Sequence, residues 1–461
     1  DWRRFSTEQI SSFCELEIRT VKEASDIPAT TNFMDFFKGL DYNRMKKGLD
    51  IISWDSYPFW HEQKDEVPVA ARTAANHSVM RALKKAPFLL MESTPSSISW
   101  RNSNPLKRPG MHMLSSMQAV AHGSDSVQYF QWRKGRGGYE KFHGAVLDHK
   151  NGSNTRTFRD VTEVGARLAG LSDKIGGTVN RPRAAIIFDW ENWWAVEDTQ
   201  GPRLDLDYVE CVLSHYRTFW EKGIEADLIG MDEKLDGYQL VAAPLNYMYK
   251  SGYAEKVRKF VADGGTFVTT YFSGMVDDTD LCFIGHHPLE DVLGVVQEEI
   301  DAPSEEFENQ FAYNGTEYPA RRMCEINHAK EGAEVLAAYE RDFYEGCPVV
   351  TRNAFGKGEA YYLAAESDIA FLRALYGDVF QRAGLKNALD TELPYGVTVT
   401  ERTGMDESGK GGRDAVFVMN FKNEPVCVDG IGKWTDAESG AVYEGKLELG
   451  AFQCVVLERK A

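Results

Sequence analysis

The sequence predicts an α/β fold in three parts. These are half of a TIM (β/α)8 barrel over residues 1–180, a flavodoxin-like α/β domain over 181–390, and a small antiparallel β-sandwich over 391–461. Three observations predict it. Up to about residue 180, four apolar strands alternate with helical segments, and each strand ends in polar or aromatic residues, as in parallel barrels whose chemistry sits at the strand ends. Only four such units are present, where a closed barrel needs eight; an open doubly wound sheet would carry a glycine fingerprint after a strand, and none occurs. After Asn180-Arg181-Pro182 the alternation restarts on the buried-strand run 184–188, and beyond Gly396 valine and threonine alternate with period two between glycine turns.

In chain order, Ser6-Thr7-Glu8-Gln9 offers N-cap chemistry for a helix to about residue 24. Residues 28–34 read as a strand, 42–48 as a helix, and 49–58 as a second strand stopped by Pro58. Pro68 opens a helix to about Lys84. The third strand organises the region. Pro87 and Pro95 bracket the apolar run Phe88-Leu89-Leu90-Met91, which reads as a strand buried on both faces and closed by Glu92. A buried, unpaired carboxylate is costly, so Glu92 faces a polar cavity, pairs with a cation or shifts its pKa. Trp100 lies eight residues on, close enough for its loop to wall the same cavity. A plain salt bridge at the strand end is the other reading, and the stretch alone leaves both open. A helix near 113–121, a fourth strand over 126–133 and a helix over 154–175 complete the region.

In the middle part, helices are expected over 207–222, 253–262 and 368–384, and strands over 226–229, 238–243, 266–270 and 358–366. Acidic Glu298-Glu299-Ile300-Asp301 and Glu305-Glu306 mark an exposed insertion. The last part should hold strands at 396–400, 414–421, 424–428 and 452–457, separated by turns at Gly409-Lys410-Gly411-Gly412 and Glu438-Ser439-Gly440. A structural cap is its expected role, in preference to carbohydrate binding.

Composition narrows the function. The net charge of −18, from 52 basic and 70 acidic residues, argues against nucleic acid or an anionic membrane as partner and favours a neutral substrate. Ten Trp supply flat rings suited to sugar C–H faces, although most aromatics belong to the core. The seven Cys are scattered and form no CxxC, which excludes a local zinc ribbon and fits reduced thiols in a cytoplasmic protein. No cofactor and no metal are expected. No leader and no 18-residue apolar run occurs, so no membrane partner is expected. Asp1-Trp2-Arg3-Arg4-Phe5 enters a helical pattern at once, and the expectation is of a chain cut from something longer.

Four motifs stand in register along this chain: Pro28-Ala29-Thr30-Thr31-Asn32-Phe33-Met34, Ser53-Trp54-Asp55-Ser56-Tyr57-Pro58, Met91-Glu92-Ser93-Thr94-Pro95 and Tyr129-Phe130-Gln131-Trp132-Arg133. Together they resemble glycoside hydrolase family 42, the microbial β-galactosidases. The resemblance implies a barrel with an acid/base Glu after its fourth strand and a nucleophile Glu after its seventh. Glu92 matches the nucleophile. Tyr57, Trp100 and Phe130 match the aromatics that contact substrate, and Glu140 and His143, in Gly138-Tyr139-Glu140-Lys141-Phe142-His143, match the ligands of sugar hydroxyls. Taken singly, the three aromatics also read as core, and Glu140 with His143 as a surface pair on a helix face, although Gly135, Gly137 and Gly138 argue against a helix there. Asp55 and Arg133, both at strand ends, could pair near Glu92.

The chain departs from the family pattern in one respect: it contains no Asn-Glu-Tyr, the type of motif that carries the acid/base. The resemblance thus implies that the four strands are numbers five to eight, the C-terminal half of a TIM (β/α)8 barrel, with the N-terminal half of the same protein as a partner, and the chain alone is expected to be inactive. The implied function is a retaining, exo-acting β-D-galactosidase. An α-L-arabinopyranosidase is the runner-up, and a sugar-binding oligomerisation scaffold the non-enzymatic rival. The middle domain is similar to glutamine-amidotransferase domains, but its turn Tyr271-Phe272-Ser273-Gly274 lacks the nucleophilic Cys such an enzyme needs. It reads as a scaffold, and the resemblance implies that it assembles a homotrimer.

Overall fold

The computed structural model describes residues 1–405 and 411–459. The first region runs α1 (Trp2–Ala24), β1 (Asn32–Phe33), α2 (Tyr42–Met45), β2 (Ser53–Ser56), α3 (Val67–Lys84), β3 (Phe88–Ser93), α4 (Met111–Ala121), β4 (Ser124–Val127) and α5 (Arg156–Ile175). Among the described residues, β1 to β4 form one parallel sheet in sequence order, an open wall of four strands. The alanine-rich α3 is buried along most of its length and stops at Lys85, whose φ of 50° is left-handed. Helix α1 begins at Trp2 with Asp1 at its N-cap position, so Ser6 to Gln9 lie inside the helix and do not cap it.

Strand β3 is not buried on both faces. Phe88 and Leu90 pack into the core, whereas Leu89, Met91 and Glu92 are only half-buried. The fourth strand is also shorter than expected. Gln128 and Phe130 donate to Leu90 O (3.0 Å) and Ser93 O (2.9 Å), after which the chain turns to pair with residues 146 and 147 through Gln131 O (2.9 Å) and Trp132 O (2.8 Å). That turn brings Phe130 over the end of β3.

The middle region holds β5 (Ala184–Ile187), α6 (Trp190–Asp198), α7 (Tyr208–Glu221), β6 (Ala226–Ile229), β7 (Leu240–Ala243), β8 (Met248–Tyr249), α8 (Tyr253–Ala262) and β9 (Thr266–Thr270). These lead to β10 (Val276–Asp277), α9 (Glu290–Leu293), β11 (Val295–Asp301), β12 (Asn309–Tyr313), β13 (Thr316–Ala329), β14 (Glu334–Ala338), β15 (Pro348–Phe355), β16 (Gly358–Leu363), β17 (Ala365–Glu366) and α10 (Ile369–Arg382). Its sheet has the order β14-β15-β16-β9-β7-β5-β6. Strands β6, β5, β7, β9 and β16 are parallel, the flavodoxin-like order, and the first four are buried along their whole length. Two features escaped the sequence. Asp189 caps the short helix α6 through Glu191 N (3.0 Å) and Asn192 N (3.4 Å). The long β13 pairs with β11, β12 and β17 in a separate antiparallel layer. Glu298 to Asp301 therefore lie on a strand, β11, with Glu298 and Glu299 exposed, and only Glu305 and Glu306 belong to a connecting loop.

The last region is β18 (Val397–Met405), β19 (Gly411–Asn420), β20 (Val426–Asp436), β21 (Val442–Leu449) and β22 (Cys454–Glu458). Among the described residues these make one antiparallel sheet, order β18-β19-β22-β20-β21, where two sheets of a sandwich were expected. The alternation is real, but its two faces are buried differently. Val397, Val416, Val428, Leu447 and Leu457 form a core of their own, and Phe417, Met419, Cys454 and Val456 join the core shared with the rest of the chain. In the predicted turn at 409–412, Gly409 and Lys410 lie outside the described residues; Gly411 and Gly412 already belong to β19. Buried Arg402 fastens this sheet to the first region, donating to Val120 O (2.9 Å), Ser124 O (3.1 Å) and Thr178 O (2.8 Å) and pairing with Asp125 (2.7 Å).

Candidate active site

The parallel register of β2 and β3 sets Asp55 beside Glu92, at the C-terminal ends of both strands. Glu92 is half-buried and accepts a hydrogen bond from the Tyr57 hydroxyl. Burial, then that bond and the carboxylate charges nearby, hold the Tyr57 proton far above its usual pKa, so the phenol stays a donor. Asp55 does not pair with Arg133, which is exposed; its Oδ2 accepts from the Asn32 side chain on β1. Among the described residues neither Asp55 nor Glu92 has a Lys, Arg or His within ion-pair distance, so the salt-bridge reading of Glu92 does not hold.

The aromatic side chains close round this pair. Trp100 stands edge-on to Tyr57 with ring centroids 5.6 Å apart, and half of its side chain is exposed. His143 is buried between Tyr57 (5.7 Å) and Phe130 (5.2 Å), both near perpendicular. Glu140 is exposed at the rim; its backbone oxygen accepts from His143 N (2.9 Å), and its charge is among those that raise the Tyr57 pKa. The structure thus brings Glu92, Tyr57, Trp100, Phe130, Glu140 and His143 to one place, drawn from three strand ends and two loops.

Several supporting residues were not picked out from the sequence. Gly144 N donates to Ser97 O (2.7 Å), and a Cβ there would stand 2.3 Å from Ser96 Oγ and 2.5 Å from Thr94 Oγ1. Only glycine lets the His143 loop seat on the loop after Glu92. Arg101 donates to the backbone oxygens of Tyr57 and Pro58, and its guanidinium stacks 3.3 Å from the Phe59 ring centre, which ties the Trp100 loop to the Tyr57 loop. Lys107, buried, donates to Thr94 O; burial pushes its ammonium down to about 7. The one local signal for any of these was the glycine beside His143, because burial of a loop Arg or Lys depends on contacts distant in sequence.

Carboxylates and rings of this kind suit general acid–base or nucleophilic work on a neutral, hydroxyl-rich molecule. Among the described residues no cluster of three or more His, Cys, Asp or Glu is placed to hold a metal, and no helix is long and apolar enough to cross a membrane.

Two family models match the sequence: one described as beta-galactosidase over residues 1–171, the other as beta-galactosidase trimerisation domain over residues 182–386. The beta-galactosidase BglY of Alicyclobacillus acidocaldarius is 46% identical, and the beta-galactosidase Pbg of Clostridium perfringens 45%; each match covers 100% of this chain and 68% of the relative. Among solved structures, the beta-galactosidase from Rahnella sp. R3 superposes with a TM-score of 0.94 at 46% identity, and Gan42B, described as a GH42 beta-galactosidase, with 0.95 at 40%. Each again covers 100% of this chain and 68% of the other. The chain therefore spans about two thirds of the length of the proteins it matches.

Proposed function

This chain belongs to glycoside hydrolase family 42, and we propose on that premise that it carries the nucleophile half of a retaining β-galactosidase. Glu92 attacks the anomeric carbon of a terminal β-D-galactoside and forms a glycosyl-enzyme; water then releases galactose. The second carboxyl group, which protonates the leaving oxygen and later activates water, comes from barrel strands outside residues 1–461. Tyr57 orients Glu92. Trp100 and Phe130 present rings to the sugar, and Glu140 and His143 take its hydroxyls. Residues 1–180 are then the barrel half, 181–390 the domain that assembles a homotrimer, and 391–461 a cap.

The observation that carries this reading is the convergence of six side chains on one strand end, with the Tyr57 hydroxyl on Glu92 at its centre. The relatives named above all bear the beta-galactosidase name, which favours the galactoside over the α-L-arabinopyranoside. Residues 1–461 purified alone are expected not to turn over lactose, because four parallel strands leave the wall open. The stereochemistry of the complete enzyme tests the mechanism. Proton NMR of the first-formed galactose should show the β-anomer; the α-anomer first would overturn the retaining assignment.

A further inference from the structure

Asp55 sits beside Glu92 across two parallel strands, and its surroundings differ from those of an ordinary ionised aspartate. Its Oδ2 accepts from the Asn32 amide, whereas its Oδ1 is buried with no hydrogen-bond partner among the described residues. Among the described residues no Lys, Arg or His is within ion-pair reach. Arg72 on α3 is engaged with Asp35 (3.7 Å) and Glu210 (2.7 Å). The other groups that feel its charge are the phenol of Tyr57, which is bound to Glu92, and the phenol of Tyr42, which donates to Met34 O (3.1 Å) and Asp35 O (3.2 Å). A bare carboxylate oxygen, buried without a donor next to a second carboxylate, is an expensive arrangement; a neutral carboxylic acid in the same place costs less, because no unpaired charge is buried.

We propose that Asp55 is a positioning residue for Glu92. It carries the proton that keeps this neighbouring pair of carboxyl groups at one negative charge, so that the charge rests on Glu92. The proposal rests on the assignment of Glu92 as nucleophile. In agreement with it, burial, opposed by the Asn32 bond and reinforced by the Glu92 charge, pushes the Asp55 carboxyl up to about 6. The pair would then pass from one negative charge to two as pH rises through that value.

The test uses the complete enzyme and a dinitrophenyl 2-deoxy-2-fluorogalactoside. Its activated leaving group needs little acid assistance, so the rate of labelling at Glu92 reports the nucleophile and its neighbours. The wild-type rate should show an inflection near pH 6. In Asp55→Asn, a neutral isostere of the protonated acid, that inflection should vanish, while the rate below about pH 5 stays within about threefold of wild type. In Glu92→Gln, infrared difference spectra should show the protonated Asp55 carboxyl titrating at lower pH than in wild type, a shift that a merely structural Asp55 would not produce. Three results would overturn the proposal: a loss of about a hundredfold at every pH in Asp55→Asn, an inflection that survives the substitution, or normal labelling with lactose turnover lost, which would make Asp55 the general acid. Absence of label on wild-type Glu92 would instead overturn the function on which the proposal rests.

Discussion

The turns that follow β3 and β9 both close a parallel strand, and both have a carboxylate at hand, but they use it in opposite ways. Glu92, at the end of β3, is half-buried and accepts one hydrogen bond among the described residues, from Tyr57, while aromatic rings stand round its open side. After β9, Glu325 is 1% exposed and accepts from Phe272 N (2.8 Å), the Tyr362 hydroxyl, Gln297 (3.4 Å) and Asn327 (3.4 Å). The turn it holds puts Phe272 at a φ of 54° with its ring buried. A carboxylate whose lone pairs are all taken by donors is part of the scaffold; one with lone pairs and an approach left over is available for chemistry. The middle region fills its turn with packing.

The contrast is broken most severely at Glu92. Glu92→Gln in the complete enzyme should reduce kcat on a nitrophenyl galactoside by about a thousandfold or more while thermal unfolding stays unchanged, because the amide cannot attack. Turnover within about tenfold of wild type would contradict the assignment. The opposite pattern is expected from Glu325→Leu. It strands Phe272 N and the Tyr362 hydroxyl, at about 1–3 kcal/mol for each donor left without an acceptor, so Tm should fall by several degrees with kcat of the surviving fold unaltered. A matching loss of kcat would mean that the two turns are not separate.

Smaller effects sharpen the site itself. Tyr57→Phe removes the donor on Glu92 and should cost about 10–100-fold in kcat, more than in KM. Gly144→Ala should cost about tenfold, because the added Cβ must push the His143 loop off Thr94 and Ser96; a neutral result would show that the loop is free to move.

The smallest expected effect lies between the two regions, at Asp41. Burial first, with the charge of Asp189 across the interface, pushes its carboxyl up to about 6, above the ordinary aspartate value. The folded state then holds the proton more tightly than the unfolded one. The stability this contributes is present below the unfolded pKa of about 3.9 and is lost as pH rises through about 6. Asp41→Asn keeps a side chain able to cap α2 at Asn43 N and should flatten part of the decline in Tm over that window.

The site was legible where the chemistry is local. A glutamate closing an apolar strand between two prolines, a Ser-rich loop that carries Trp100 eight residues on, and a glycine-flanked Glu-Lys-Phe-His run are sequence features, and the structure brings them together. The supports of the site were not legible. Lys107 and Arg101 are ordinary loop cations until folding buries one under Thr94 O and stacks the other on Phe59. Asp55 gave no sign that Asn32, and not Arg133, would be its partner, because that pairing depends on strand register. In the fold, the run 184–187 announces a buried parallel strand by being apolar throughout, and 266–270 does so by its β-branched and aromatic residues. The antiparallel layer of β11 to β13 did not announce itself, since its half-exposed, charged residues read as an insertion. The last region's alternation was correctly seen as strands, but period two does not say whether the second face meets another sheet or the rest of the molecule.

Glu92 as the nucleophile is tested most directly by the site of the covalent bond. The complete enzyme, inactivated with a 2-deoxy-2-fluorogalactoside and digested, should carry one fluorogalactosyl group on the peptide containing Met91-Glu92-Ser93, and nowhere else. A label on Asp55 or Glu140, or inactivation that leaves that peptide at its unmodified mass, would contradict it.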